Sequence, residues 1–136
     1  MSLLAELVRR FRAALSGLVD NPDPYLDMVR RSQDPRFGDY QANFAMPLSK
    51  QLNRPAREIA AQVIERLDVA DLCQTPEIAG PGFINLRLRE DLLAHRLGRA
   101  VTDERLGVPV VEQPRTYVVD YSSPNVAKPM HVGHIR

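Results

Sequence analysis

The segment Pro76–Arg89, PEIAGPGFINLRLR, constrains the fold more than any other stretch of the chain. Gly80-Pro81-Gly82 is a turn signal, and it separates two short runs suited to strands. After the turn, Ile84, Leu86 and Leu88 alternate with Phe83, Asn85, Arg87 and Arg89. Successive side chains of a strand point to opposite faces, so one face here is apolar and the other aromatic and polar. A sheet made this way needs cover on its apolar face and can leave the other face to solvent.

The cover is legible on either side of the hairpin. Leu3, Leu4, Leu7, Val8, Phe11, Leu15, Leu18 and Val19 recur at steps of three and four. That spacing predicts a helix over about Ser2–Val19, capped by Ser2 and ended by Asp-Asn-Pro-Asp-Pro. An extended run around Tyr25–Arg31 and a turn-rich loop, SQDPRFGDY, follow. A second helix is expected over Gln41–Leu52, with Pro47 weakening its middle or resetting its start. The stretch NRPAREIAAQVIERL predicts the clearest helix, with Pro55 in a tolerated first-turn place and Ile59, Ala60, Val63, Ile64 and Leu67 on one face. A further helix is expected over Asp91–Glu104, then a connector, LGVPVVEQP, and a strand in RTYVVDY. There is no internal repeat. The fold expected for the first hundred or so residues is α+β, a small sheet packed with helices.

Composition narrows the class without naming it. With 136 residues and 44% hydrophobic residues the chain can bury a real core. A net charge of +1 argues against a broadly basic nucleic-acid coat, though it leaves room for a local basic patch. Cys73 is the single cysteine, so no intramolecular disulfide forms; it reads as a small apolar filler in a reducing, cytoplasmic setting. Glu6, Arg9, Arg10 and Arg12 interrupt any signal-peptide core, and no apolar run reaches membrane-spanning length.

Chemistry concentrates at Tyr117–Arg136, YVVDYSSPNVAKPMHVGHIR. A strand, a Ser/Pro/Asn loop and a helix start make the first half of a βαβ unit. Ligands of open parallel sheets sit outside the carboxyl ends of the strands, and a helix N-terminus attracts anions. His131 and His134 there can donate hydrogen bonds to phosphate oxygens, Gly133 admits close approach of a nucleotide, and Lys128 adds a cation. Two plainer readings stand beside this one. The histidines could be surface residues, or part of a metal site, although the rest of the sequence offers no evident further ligands. His95 reads as structural.

The stretch SSPNVAKPMHVGHIR resembles the first signature of class I aminoacyl-tRNA synthetases, and more narrowly that of arginyl-tRNA synthetases. Ser122, Ser123, Pro124, Asn125, Lys128, Pro129, His131, Gly133 and His134 all match the longer pattern. FGDYQANFAM and IAGPGFINLRL resemble the N-terminal additional domain of the same family. The resemblance implies that residues 1–108 form that domain, which touches the tRNA D-loop. It implies that residues 109–136 begin a Rossmann-like catalytic domain, truncated here and catalytically incomplete alone. The implied activity of the parent protein is arginine–tRNA ligase: ATP-dependent formation of arginyl-adenylate and transfer of arginine to tRNA(Arg), with Mg2+ accompanying ATP. Neither a tightly bound cofactor nor a protein-bound metal is expected, and neither a membrane nor DNA as partner. By the same resemblance His131, Gly133 and His134 bind ATP, and His131, His134 and Lys128 are catalytic. Ser123 and Asn125 hold the amino and carboxylate groups of arginine, and Asp120 faces its guanidinium. Phe83 and Asn85 contact a D-loop base.

From the residues alone, the favoured reading is that Phe83 packs under a neighbouring helix, with Arg87 and Arg89 a solvated face. Asp39 and Asn43 read as structural residues that cap and hold the second helix. Two other functions remain open: a stand-alone tRNA-binding module without catalysis, and a different nucleotidyl transferase with a similar His-x-Gly-His corner.

Overall fold

The computed structural model describes residues 2–120. Helix α1 (Leu3–Leu15) is followed by a one-turn helix α2 (Asp23–Leu26), strand β1 (Val29–Arg31), a 3₁₀ turn (Pro35–Phe37) and strand β2 (Tyr40–Ala42). Helices α3 (Ala45–Leu52) and α4 (Ala56–Arg66) come next, then strands β3 (Glu77–Ala79) and β4 (Phe83–Leu86) and helix α5 (Glu90–Thr102). The four strands form one sheet in the order β1-β2-β4-β3, with every neighbouring pair antiparallel. The α+β expectation holds.

Helices α1, α3 and α4 close one side of the sheet. Leu7, Phe11 and Leu15 of α1, Leu48 of α3, and Ile59 and Val63 of α4 meet Ile84 and Leu86 of β4, all with essentially no solvent exposure. Phe11 and Phe44 pack edge to face, ring centroids 5.6 Å apart, an arrangement that suits the aromatic quadrupole. Arg10 ties α1 to the turn after α4. Its guanidinium forms a two-pronged pair with Asp71 and a 3.1 Å bond to Glu6, and donates to the Asp68 carbonyl at 2.7 Å. Arg10 thereby holds the Asp71 carboxyl below its usual range.

Several expected boundaries shift for identifiable reasons. Helix α1 does accept its cap from Ser2, whose hydroxyl takes the Ala5 N–H at 3.2 Å. It ends four residues earlier than its apolar spacing suggests, because Ser16 leaves helical dihedrals and Gly17 turns left-handed at φ +84°. Leu18 and Val19 still pack on the core from the turn that follows, so the periodicity outlasts the helix. Tyr25 and Leu26 belong to α2, and only Val29–Arg31 is extended.

Gln41 and Ala42, expected in a helix, lie in β2. Strand pairing on both sides of β2 overrides local propensity, and α3 starts at Ala45, with Pro47 in a first turn that has no need of its missing N–H. The helix expected over Asp91–Glu104 is present as α5, but none of its residues is buried. Leu97 and Val101 stand 67% and 74% exposed. The strand expected in RTYVVDY is not formed over Arg115–Asp120, which are exposed and pair with no strand. Among the described residues no helix is long and apolar enough to cross a membrane.

Candidate nucleic-acid interface

The side of the sheet away from the helices carries a different set of residues. Antiparallel register places Arg30 opposite Gln41, Gln41 opposite Asn85, and Asn85 opposite Glu77, a polar row running across all four strands. One step along β4, Phe83 stands opposite Ala79. Alternation explains the split: Val29, Ala42 and Ile84, the neighbours of that row, are all buried in the core.

A cavity of about 540 Å³ opens over this face. Arg30, Arg31, Phe37, Gln41, Asn43 and Phe83 are among its lining residues. Phe83 is half-buried and neither packs under a helix nor joins the core. Its ring lies against the Gly80 turn, whose carbonyl accepts a 2.5 Å bond from Arg57 of α4. The three-residue turn thus fixes where the ring stands. Across the cavity Phe37 is 43% exposed, and the Arg36 guanidinium sits 5.8 Å from its ring centroid. Arg36 is occupied by Asp34, whose carboxyl it holds below the usual range. Arg30 donates to the Asp27 carbonyl at 2.6 Å and remains exposed, as does Arg31.

Asn85 lies on the outward face, as the strand alternation suggests, but is covered there. It is only 8% exposed and accepts a 2.8 Å bond from the side chain of Gln41. It lines a recess of about 20 Å³ beside the main cavity, with Phe37 bordering both. Arg89 departs from the expected face. After Leu86 the segment 72–74 takes over the β3 edge of the strand: Gln74 N–H donates to the Arg87 carbonyl at 2.8 Å and Arg89 N–H to the Leu72 carbonyl at 3.0 Å. Arg89 then turns to the start of α5, where it bonds Asp91 and the Ala70 carbonyl. Arg87 stays exposed at the small recess.

Asp39 is structural, but not as a helix cap. Its N–H donates to the Leu86 carbonyl and its carboxylate accepts the Leu88 N–H, both at 2.8 Å, so it extends the β2 edge of β4 past Leu86. Gly38 makes that approach possible: it has φ +88°, and a Cβ there would lie 2.5 Å from the Leu86 carbonyl oxygen. Helix α3 has no side-chain cap, and the Asn43 amide oxygen is buried without a partner among the described residues. Cys73 is buried behind this segment, and burial pushes its thiol up to about 11, which suits an inert filler.

An aromatic ring for stacking, neighbouring amides for hydrogen bonding and exposed guanidinium groups make a face able to take an unpaired base and its phosphates. Phe83 and Asn85 come together as the sequence suggests. Gln41, Phe37, Arg30 and Arg31 join them without having been foreseen. A three-residue β2 is too short for its period-two pattern to stand out, and the other three come from loops and an edge strand. Asp120 is exposed and lies apart from any formed site. Ser122, Ser123, Asn125, Lys128, His131, Gly133 and His134 lie outside the described residues.

Comparison with known proteins matches residues 5–88 to the arginyl tRNA synthetase N terminal domain and residues 96–136 to the class I (R) tRNA synthetase catalytic domain. Among curated relatives, the arginine–tRNA ligase of Rhodopirellula baltica is 51% identical over all 136 residues, and that of Cutibacterium acnes 49% over 135. The chain spans 20% and 23% of their lengths, respectively. In three dimensions it is similar to the arginyl-tRNA synthetase of Thermus thermophilus, with a TM-score of 0.57 over 85% of this chain and 17% of that one, at 24% identity. With more than half of its residues matched by that domain, the chain belongs to the arginyl-tRNA synthetase N-terminal domain family.

Proposed function

We propose that this chain is the N-terminal part of an arginine–tRNA ligase and that its open sheet face binds tRNA(Arg). The observation that carries the reading is the juxtaposition of half-buried Phe83 with the Gln41–Asn85 amide pair beside a cavity flanked by Arg30 and Arg31. A ring free on one side stacks any base, amides read its edge, and guanidinium groups hold the backbone. Residues 1–108 form this tRNA-contacting domain, and residues 109–136 begin a Rossmann-like catalytic domain. The setting is the cytoplasm.

In the activation step, the carboxylate of arginine attacks the α-phosphorus of ATP, forming arginyl-adenylate and releasing pyrophosphate. His131 and His134 donate hydrogen bonds to phosphate oxygens where charge develops, with Lys128 as a nearby cation and Gly133 giving room for the nucleotide. Mg2+ accompanying ATP neutralises part of the phosphate charge. Asp120 pairs with the guanidinium of arginine, while Ser123 and Asn125 hold its amino and carboxylate groups. A hydroxyl of tRNA(Arg) then attacks the arginyl carbonyl carbon of the adenylate, forming an ester and releasing AMP.

The direct test is a binding titration of the 136-residue chain with tRNA(Arg) at fixed salt. Phe83→Ala should weaken binding by about 1–3 kcal/mol, the range for loss of one base-stacking ring. Unchanged affinity in a folded variant would remove Phe83 from the interface. Catalysis is tested by letting this chain replace the aligned residues of the Rhodopirellula ligase. The chimera should charge tRNA(Arg), and His134→Ala within it should lower adenylate formation by about 10²–10³-fold, as expected for a group that stabilises developing charge. A silent chimera together with tRNA binding by the chain alone would favour a stand-alone tRNA-binding module.

A further inference from the structure

Gln41 and Asn85 face each other across β2 and β4, and the Gln41 Nε2–H donates to Asn85 Oδ1 at 2.8 Å. A primary amide has one carbonyl acceptor and one NH2 donor group. The bond between them therefore leaves Gln41 Oε1 as an acceptor and Asn85 Nδ2 as a donor, neither with another partner among the described residues. Exchanging oxygen and nitrogen in both amides keeps the bond and again leaves one donor and one acceptor, so the pattern belongs to the pair. Gln41 is the more accessible member. It lines the cavity with Phe83, whereas Asn85 is 8% exposed and lines the small recess alongside. Asn43 adds to the same cavity a buried amide oxygen that has no partner among the described residues.

We infer that Gln41 is a base-reading residue: bonded to Asn85, it presents one donor and one acceptor together to the Watson–Crick edge of one unpaired base stacked on Phe83. The inference rests on the reading of this face as an RNA-binding surface, and it adds a determinant of which base is accepted. Without the bond, the two amides rotate independently and each matches either partner group of a base. With it, the two amides turn only together and offer one donor and one acceptor at a time, so a base that turns two donors or two acceptors towards them leaves a polar group unpaired.

Two substitutions separate base reading from support of the fold. In Gln41→Glu the carboxylate can only accept. Asn85 must then donate to it, and acceptors face the cavity. The Watson–Crick edge of guanine carries adjacent donors at N1 and N2, so guanine becomes the best match. In Gln41→Ala the Asn85 amide is free to turn and discrimination falls. Both variants should keep the wild-type urea midpoint, because Gln41 faces away from the core.

The experiment is equilibrium binding of the 136-residue chain to unmodified tRNA(Arg) transcripts in which each unpaired D-loop nucleotide is in turn A, C, G or U. For the wild type, one position should show a spread of about tenfold among bases, the scale of one well-placed hydrogen-bonding group. At that position Gln41→Glu should raise affinity for guanine about tenfold relative to the other bases, and Gln41→Ala should shrink the spread to about twofold. A merely structural role would shift all transcripts together and leave the ranking alone. If both variants keep the wild-type ranking and spread, Gln41 does not read the base. If the wild type binds tRNA(Arg) but ignores every D-loop base, this inference falls and the RNA-binding reading of the face stands; if it fails to bind tRNA(Arg), both fall.

Discussion

On one face of the sheet, Ile84 and Leu86 are fully enclosed by helices, while Phe83, adjacent to Ile84 in the chain, stands half-open on the other face beside the amide of Asn85. The same four-residue strand supplies both. The enclosed face is uniform in chemistry and closely packed, so its residues serve mainly to hold the sheet. The open face mixes a ring, two amides and guanidinium groups around a cavity, and removing one of these side chains costs little packing. The packed core and the proposed recognition face are thus separated by the strand's alternation alone, one residue apart.

That separation can be broken by experiment. Ile84→Ala should lower unfolding free energy by about 2–5 kcal/mol, the cost of removing most of an enclosed aliphatic side chain. It should affect tRNA(Arg) only in proportion to the unfolded fraction. Phe83→Ala should do the reverse, with the unfolding midpoint nearly unchanged and tRNA affinity reduced. Urea denaturation and binding titrations on both variants would test the pair; equal losses of stability would mean the two faces are not independent.

Gly38 sharpens the comparison because it serves both faces. An alanine there must adopt φ +88° and place its Cβ against the Leu86 carbonyl. Gly38→Ala should therefore cost about 1–3 kcal/mol through backbone strain, and also weaken tRNA binding by displacing Phe37. A strain-free alanine, seen as an unchanged urea midpoint, would show that the loop relaxes without cost.

The smallest effect is expected at the edge of the domain. Arg89 holds the Asp91 carboxyl down to about 2 from an ordinary value of 3.8. A depressed folded-state value means that the pair's contribution is fully present above pH 3.8 and is lost as pH falls towards 2. The stability difference between wild type and Asp91→Asn should therefore shrink over that window and be constant above it. A difference that grows on acidification would show that Arg89 does not favour the charged carboxylate.

Much of the fold was legible because it is local. The Gly-Pro-Gly turn, the alternation in β4, the capped start of α1 and the apolar face of α4 each appear within a dozen residues. The family signature was legible for a related reason, since its fixed positions lie close together in the chain. Gln41 was assigned to a helix and Arg89 to the open face, and the place of each, like the cover over Asn85, depended on partners far along the chain. Gln41 and Asn85 are 44 positions apart, and Arg89 reaches back 19 to Ala70.

The sequence by itself determined which residues could form a core and where the hairpin turns, because apolar period and turn chemistry are written in consecutive residues. It also determined the membership suggested by its motifs. Only the tertiary structure decided that β2 is a strand, that it lies between β1 and β4, and that its single outward side chain meets Asn85. The physical reason is that a three-residue strand carries almost no signal of its own. Its conformation is chosen by the hydrogen-bonding edges on either side of it, and those edges exist only once the rest of the chain has folded.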